Sequence, residues 1–474
     1  MRVLLVQPRP RRRPGFRAGF RTMAVVEPLG LEMVAGALSA EHQVQLVDML
    51  PGADLEAALE RFAPDVCGLS CSFTVDVPET LLLAQAVKAR RPQTFVFVGG
   101  HHASLCPDDF QVPWVDAVVF GEGESTAPDL LHALERGDDL AEVPGLILNT
   151  SDGQLTTPPR EIIGDLDSLP FPARSLVRDS LKSYHLGLRS ELSSVETSRG
   201  CPYRCTFCSV WHFYQSQVRA KSPERVLAEI EAIEGRHLFV TDDNFLADIS
   251  RAERIAELLL ERGIKKRFIY QARTDSIARH PETVTKLREA GFATAFVGLE
   301  KIDAEGLRSI HKGNTVENNE AALRVLRRAG VNVFGTLIVD PDYDESDFRR
   351  LREYVRSHAL VNAWFTILTP LPGTILYDKV RETITTRKWE LYDLAHAVVP
   401  TRLELDRFYS EFARLYKSTY APRAIARWLW HSVRRADSRR TARTLSPAIL
   451  WRCLETFRCM TDPREYLAAH AQRE

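Results

Sequence analysis

The chain has almost no surplus of either charge: 62 Lys and Arg stand against 63 Asp and Glu, a net charge near −1. This near-balance argues against a general nucleic-acid binder, which needs a basic field to gather phosphates. Long hydrophobic runs are missing as well. No stretch approaches the ~20 apolar residues of a membrane span, and Met1-Arg-Val-Leu-Leu-Val-Gln-Pro8 has too short an apolar run for a signal peptide. The eight cysteines (67, 71, 106, 201, 205, 208, 453 and 459) lack the spacing of a small disulfide scaffold. A cytoplasmic protein with reduced thiols is expected. At 474 residues, 45% apolar and 26% charged, the chain has ordinary globular composition but is too long for one core, so two or three domains are expected.

What is present is concentrated in one segment. Glu196-Thr-Ser-Arg-Gly-Cys-Pro-Tyr-Arg-Cys-Thr-Phe-Cys-Ser209 places Cys201, Cys205 and Cys208 within eight residues. Three thiolates can bind three irons of a 4Fe–4S cluster, whose usual complement is four cysteines, and the fourth iron is then open. On spacing alone, a zinc site completed by His212 and a set of free buried thiols are the competing readings.

The surrounding pattern supplies a frame. Residues 1–150 alternate apolar strands (3–6, 44–47, 66–70, 95–98 and 117–119) with amphipathic helices (29–38, 55–62 and 78–90). Such alternation predicts an α/β domain with a doubly wound, Rossmann-like parallel sheet and a ligand crevice at the carboxyl ends of its strands. Gly68-Leu-Ser-Cys71, Gly99-Gly-His-His-Ala103 and Phe120-Gly-Glu-Gly-Glu124 fall at those ends. Glycine there either lets backbone approach a ligand or merely makes a tight turn. Residues 151–189, with Thr157-Pro-Pro159 and Asp165-Leu-Asp-Ser-Leu-Pro-Phe-Pro172, read as a linker. From 190 to 388 six further strands (193–197, 238–241, 268–271, 295–299, 331–339 and 364–368) alternate with helices, the first opening at Ser222-Pro223-Glu224. These predict a partial (β/α)6 barrel with its chemistry at the C-terminal strand ends. Residues 389–474 are expected to be mostly helical.

The cysteine spacing, Phe207 just before the third cysteine and the Arg-Gly before the first resemble the radical S-adenosylmethionine (radical SAM) superfamily. There the open iron chelates S-adenosylmethionine and reduces it to a 5′-deoxyadenosyl radical, which takes hydrogen from an unactivated carbon. The three glycine-bearing segments ahead of the motif resemble the cobalamin-binding domains of that superfamily. This resemblance places cobalamin against Ser70, Gly99, Gly100, His101, Gly121, Glu122 and Gly123, with His102 a further candidate. The Asp-x-His-x-x-Gly of mutase-type cobalamin domains is missing, because the first loop begins Gln7-Pro-Arg-Pro-Arg11 and contains no histidine. A histidine of this loop is therefore not expected beneath the cobalt.

In the barrel the resemblance assigns S-adenosylmethionine to Phe207, to Thr241, Asp242 and Asp243 for its amino group, to Arg273 for its carboxylate, to Glu300 for its ribose and to Ile338 for its adenine. Plainer readings stand beside these: an Asp-Asp-Asn turn, a surface arginine, a Glu300 paired with Lys301 or Lys312, and an ordinary barrel strand. Val26-Glu-Pro-Leu-Gly-Leu-Glu32, Thr241-Asp-Asp-Asn244, Gly298-Leu-Glu-Lys-Ile-Asp303, Val339-Asp-Pro-Asp342, Leu368-Thr-Pro-Leu-Pro-Gly-Thr374 and Asp393-Leu-Ala-His-Ala-Val-Val-Pro400 look most like the hopanoid C-3 methylases. The implied activity is a cobalamin-dependent radical SAM C-methyltransferase acting on an sp3 carbon, with C-3 of a hopanoid as the expected site. One S-adenosylmethionine would supply the methyl by way of cobalamin, another the radical, and a flavodoxin or ferredoxin the electron. Methylation of another natural-product scaffold, cyclisation without methyl transfer and a non-catalytic cobalamin-binding module are the alternatives. Residues 423–435, basic and aromatic at helical spacing, can lie on an anionic inner-membrane surface or pack against the barrel.

Overall fold

A computed structural model of the protein describes residues 1–9, 24–187, 189–420 and 447–471, the side chains of 447–453 excepted. The basic aromatic segment at 423–435 lies outside the described residues.

The first sheet is built from β1 (Arg2–Gln7), β2 (Gln43–Asp48), β3 (Val66–Ser70), β4 (Phe95–Gly99) and β5 (Ala117–Val119). Val3, Leu4, Leu5 and Val6 are fully buried, the continuous apolar run of a parallel strand covered on both faces. Alternation sends Val3 and Leu5 to one core, with α1 (Leu29–Leu38) and later Leu130 and Leu131. It sends Leu4 and Val6 to the other, with α2 (Leu55–Phe62) and α3 (Val77–Arg90). Strand order is β2-β1-β3-β4-β5, all parallel, the flavodoxin-like order whose ligand crevice opens where the winding reverses, between β1 and β3. Two antiparallel strands, β6 (Leu146–Thr150) and β7 (Gly153–Thr156), extend this sheet past the expected boundary at 150.

The second sheet runs β8 (Leu192–Val195), β9 (His237–Val240), β10 (Arg267–Ala272), β11 (Phe292–Glu300), β12 (Asn332–Val339) and β13 (Ala363–Ile367) in sequential, all-parallel order, an open six-stranded barrel. Its helix-facing side is a core that includes the stacked rings of Phe245, Phe292 and Phe268. The helix Pro223–Ala232 starts as its Ser-Pro-Glu sequence implies, with the Ser222 side chain accepting from the Arg225 amide. A C-terminal helix, Leu405–Thr419, covers the barrel edge. There the Tyr416 hydroxyl donates to the Phe365 carbonyl (2.6 Å) and the Phe365 amide bonds back to it at 3.2 Å.

The two sheets are not separate bodies. Leu192 and Ile269 of the barrel join Val3, Leu5 and Leu31 in one buried cluster, along with Val177 and Tyr184 of the connecting segment. Ala24–Val25 also pairs with His185–Leu186, tying the start of the first domain to the connector.

Candidate functional site

Beyond β8 the chain turns through Thr197, Ser198, Arg199 and Gly200 into the three cysteines. Asp242, 1% exposed, fixes that turn: its carboxylate accepts from the Thr197 amide (2.7 Å), the Thr197 hydroxyl (2.5 Å) and the Ser198 hydroxyl (2.5 Å). Gly200 has φ +89°, and a Cβ on it would strike the Gln217 carbonyl, so glycine is required immediately before Cys201. Cys201 and Cys208 are half-buried and Cys205 is buried; all three are free thiols. Burial raises all three thiol pKa values, that of Cys208 to about 12. Lys312 and Arg273 oppose this at Cys205, and Arg273 does so at Cys201, since a nearby cation favours thiolate. Three unpaired thiols on one loop at the strand ends, faced by two cations, suit an anionic iron–sulfur cluster. Among the described residues, the compact groupings of potential metal ligands are Glu41–His42–His132 and His102–Cys106–Asp109. Neither includes His212, which instead stacks on Trp211, nor Cys201, Cys205 and Cys208, so the described residues gather no Cys3His zinc set and the cluster reading rests on the cysteine spacing and the two cations.

The barrel strand ends surround this loop. Thr241 is half-buried and donates its amide to the Val195 carbonyl at 2.9 Å. The Asp243 carboxylate accepts from the Gly200 amide at 3.1 Å, and burial raises its pKa to about 7. Asp242 departs from the expected cofactor contact, because its carboxylate is committed to Thr197 and Ser198. Arg273 is no surface residue. It is 6% exposed, lies 3.4 Å over the Tyr203 ring, and donates from Nε to Asp275 (2.9 Å) and from Nη2 to the Lys312 and Gly313 carbonyls (2.8 and 3.1 Å). Glu300 ends β11 at a register shift with φ +63°, a strained conformation for a side chain of its size. Of the two lysines considered for it, Lys312 is the partner (2.7 Å), whereas Lys301 pairs with Asp340 (2.5 Å) and donates to the Ile338 carbonyl. Ile338 is 6% exposed on β12, and Phe207 is half-buried within the cysteine loop.

On the opposite wall stand the ends of β3, β4 and β5. Ser70 closes β3 and Gly99 closes β4. Gly100 has φ +122°, and its missing Cβ would lie 2.8 Å from the Cys71 carbonyl, so β3 and β4 end in close backbone contact. Gly121 follows β5, and Gly123 opens the next helix, Gly123–Arg136. Phe73, just beyond β3, is 65% exposed. Backbone-lined strand ends, a small hydroxyl and an exposed aromatic ring suit the flat apolar face of a corrin.

Three expectations for this wall are corrected. Gly68 lies inside β3, where Phe97 and Leu5 fill the space of its Cβ, so it serves packing rather than a ligand. His102 is 3% exposed and bonds Thr74 (3.1 Å) and Asp109 (2.9 Å), turned into the domain. Glu122, 8% exposed, is held by Arg199, Arg219 and the Ile163 amide rather than facing the crevice. His101 does reach out, but to the cysteine loop: its Nε2 is 2.7 Å from the Ser209 hydroxyl and its ring stacks on Phe213 at 4.5 Å. Burial lowers its pKa to about 4, which keeps it neutral. At the first loop, Arg9 forks onto Asp48 through Nε and Nη2 (both 2.6 Å). The sequence assigned no role to Arg199, Arg219 or Glu124; the Ser-Arg-Gly-Cys signature was the available signal for the first of these.

Comparison with known proteins agrees with this two-walled geometry. The radical SAM superfamily model matches residues 195–355, and the B12 binding domain model matches residues 22–131. The chain is 37% identical over 402 residues to the hopanoid C-3 methylase of Methylococcus capsulatus, covering 83% of this chain and 76% of that protein. It is 28% identical to an uncharacterized methyltransferase of Pyrococcus horikoshii, covering 89% and 92%. Among solved structures, the cobalamin-dependent S-adenosylmethionine radical enzyme OxsB, with aqua-cobalamin and S-adenosylmethionine bound, superposes with a TM-score of 0.69 at 20% identity, covering 92% of this chain and 71% of that one. The radical S-adenosylmethionine methyltransferase TsrM from Kitasatospora setae, with cobalamin and a [4Fe-4S] cluster bound, gives 0.62 at 20% identity, covering 81% and 75%.

Proposed function

The chain belongs to the radical S-adenosylmethionine methyltransferases that carry a cobalamin-binding domain, and from that premise we propose that it methylates ring carbon C-3 of a hopanoid lipid. Its cofactors are a 4Fe–4S cluster, S-adenosylmethionine and cobalamin. The observation that carries the substrate is the 37% identity to a protein named for that reaction, sustained over 402 residues. The chemistry is consistent with it. A ring methylene has no acidic proton for a base to remove, so it must lose a hydrogen atom instead. When bound, cluster and cobalamin supply reductive cleavage of S-adenosylmethionine and relay of a methyl group.

The chain's own residues hold and orient. Cys201, Cys205 and Cys208 would ligate the cluster and leave one iron for S-adenosylmethionine. Asp243, Thr241 and the backbone of β9 are the acceptors for its amino group. Arg273 has Nε and Nη2 engaged, which leaves Nη1 as the atom that would meet a methionine carboxylate. Ile338 and Phe207 would contact the adenosine. Glu300, held through Oε1 by Lys312, would meet the ribose hydroxyls. Ser70, Gly99, Gly100, Gly121 and Gly123 would lie against the corrin. A flavodoxin or ferredoxin would supply electrons, and residues 423–435 are assigned peripheral contact with the membrane that holds the lipid. No described helix is long and apolar enough to cross a membrane.

The test is expression in a hopanoid producer lacking 3-methylated species, at low oxygen with cobalamin. New 3-methylhopanoids, with S-adenosylhomocysteine and 5′-deoxyadenosine formed in equal amounts, are expected. A protein loaded with both cofactors that gives no methylated hopanoid would refute the substrate. Deoxyadenosine without S-adenosylhomocysteine would point to rearrangement instead.

A further inference from the structure

Arg199 stands two residues before Cys201 and is 4% exposed. Each of its three guanidinium nitrogens donates to a different carboxylate: Nη1 to Glu122 (2.5 Å), Nη2 to Glu124 (2.6 Å) and Nε to Glu196 (2.8 Å). Glu122 and Glu124 belong to the Gly-Glu-Gly-Glu segment after β5, on the corrin wall, and Glu196 follows β8 of the barrel. Arg219 Nη1 donates to both oxygens of Glu122 (3.0 and 2.8 Å) and stacks over Tyr214, so the carboxylate cluster is cross-braced.

A second, independent bridge lies on the far side of the cysteines. His101, from the Gly-Gly-His segment after β4, meets Ser209, the residue after Cys208, and stacks on Phe213. The cysteine loop is therefore pinned to the corrin wall both upstream of its first ligand and downstream of its last. An interface serving cohesion alone could be built anywhere along two domains. This one joins the strand-end loops of one cofactor to the loop of the other. The chemistry also requires arginine, since only a planar fork offers three donors in fixed directions, whereas a lysine is a single rotatable point of charge.

We propose that Arg199 is a positioning residue that sets the separation and orientation of cluster and corrin by latching the Gly-Glu-Gly-Glu loop to the cysteine loop. Hydrogen removal and methyl delivery are then aimed at the same substrate carbon. The inference rests on the cofactor set, not on the identity of the lipid. Its test therefore needs no substrate.

Full-length protein is reconstituted anaerobically with iron, sulfide and cobalamin, and pulsed electron paramagnetic resonance measures the distance distribution between the reduced cluster and cob(II)alamin. Arg199→Lys is expected to retain iron and cobalamin but to broaden that distribution by about twofold. Glu124→Gln, which leaves the Glu122 pair intact, should broaden it less. Arg178→Ala, which removes an exposed ion pair between the connector and Glu234, away from both loops, should leave it unchanged. An Arg199→Lys protein holding both cofactors with the wild-type distribution overturns the proposal. If that variant fails to load, Glu124→Gln decides by the same criterion. Broadening equal in Arg178→Ala and the latch variants would reduce Arg199 to a general stabilising role and overturn the proposal as well.

Discussion

Glu32 has a carboxyl with no solvent exposure and, among the described residues, no hydrogen-bond partner for either oxygen. Its one cation among the described residues, the Arg174 Nη1 at 3.5 Å, is shared with Glu27 at 2.7 Å, while the Nη2 of the same arginine binds Glu229 at 2.8 Å. Burial first, then the charge of Glu27, raises the Glu32 pKa to about 9. In the unfolded chain the group titrates near 4.3. A raised carboxyl pKa means that its contribution to stability is complete below the unfolded value and is lost as pH climbs through the folded one. Glu32→Gln removes this titration. Its melting temperature should therefore fall less than that of the wild type between about pH 6 and about pH 9. Parallel curves would show that Glu32 is ionised in the fold. The two glutamates of Val26-Glu-Pro-Leu-Gly-Leu-Glu32 thus differ: Glu27 accepts from the Ser194 amide (2.6 Å) and Arg174, while Glu32 lacks a donor of its own.

At the level of elements, the wall proposed for the corrin is drawn together where the ends of β3 and β4 meet. Alanine at position 100 would need φ +122° and a Cβ 2.8 Å from the Cys71 carbonyl. Backbone strain of this kind costs about 1–3 kcal/mol, and relieving it must separate the two strand ends. Gly100→Ala is therefore expected to lower the melting temperature by several degrees and weaken cobalamin binding at least about tenfold, by about 1.4 kcal/mol or more. Unchanged affinity in an absorbance titration would exclude these ends from the cofactor site. Most elements of both sheets were legible in the sequence, because their signals are local. Helices 29–38 and 55–62 and strand 66–70 coincide with their expected bounds, marked by apolar periodicity and by the Asp54 cap, whose side chain accepts from the Ala57 amide. The β6–β7 hairpin was not read from the sequence: Leu146-Ile-Leu148 is an apolar run, but its partner Gly153–Thr156 has Leu155 as its one apolar side chain, so the pair does not stand out from a linker. The candidate site stood out in its cysteines, whose spacing is contained in eight residues. It was not legible in Glu122, Asp242 or Arg199, where the decisive partner lies tens of residues away and burial selects one pairing among many charged candidates. The register shift after Gly298 that aims Glu300 at Lys312 likewise leaves no local trace.

For the whole molecule, the shared core decides what can fold alone. Val3, Leu5 and Leu31 are covered partly by Leu192 and Ile269 of the barrel and by Tyr184 of the connector. A fragment ending at residue 160 would expose that surface and leave Glu122 and Glu124 without Arg199 and Arg219. It should bind a hydrophobic dye and melt without a sharp transition, although it retains every strand of the first sheet. A cooperative calorimetric peak from the fragment would show that the barrel contributes little to this core. The same arrangement has a consequence during synthesis. Strands β1 to β7 emerge from the ribosome well before Ile269 does, and at 5–20 residues per second the delay is on the order of ten seconds. Through that interval the nascent domain presents an open apolar face and two uncompensated acidic side chains, which makes it a client for a holding chaperone until the barrel arrives to close it.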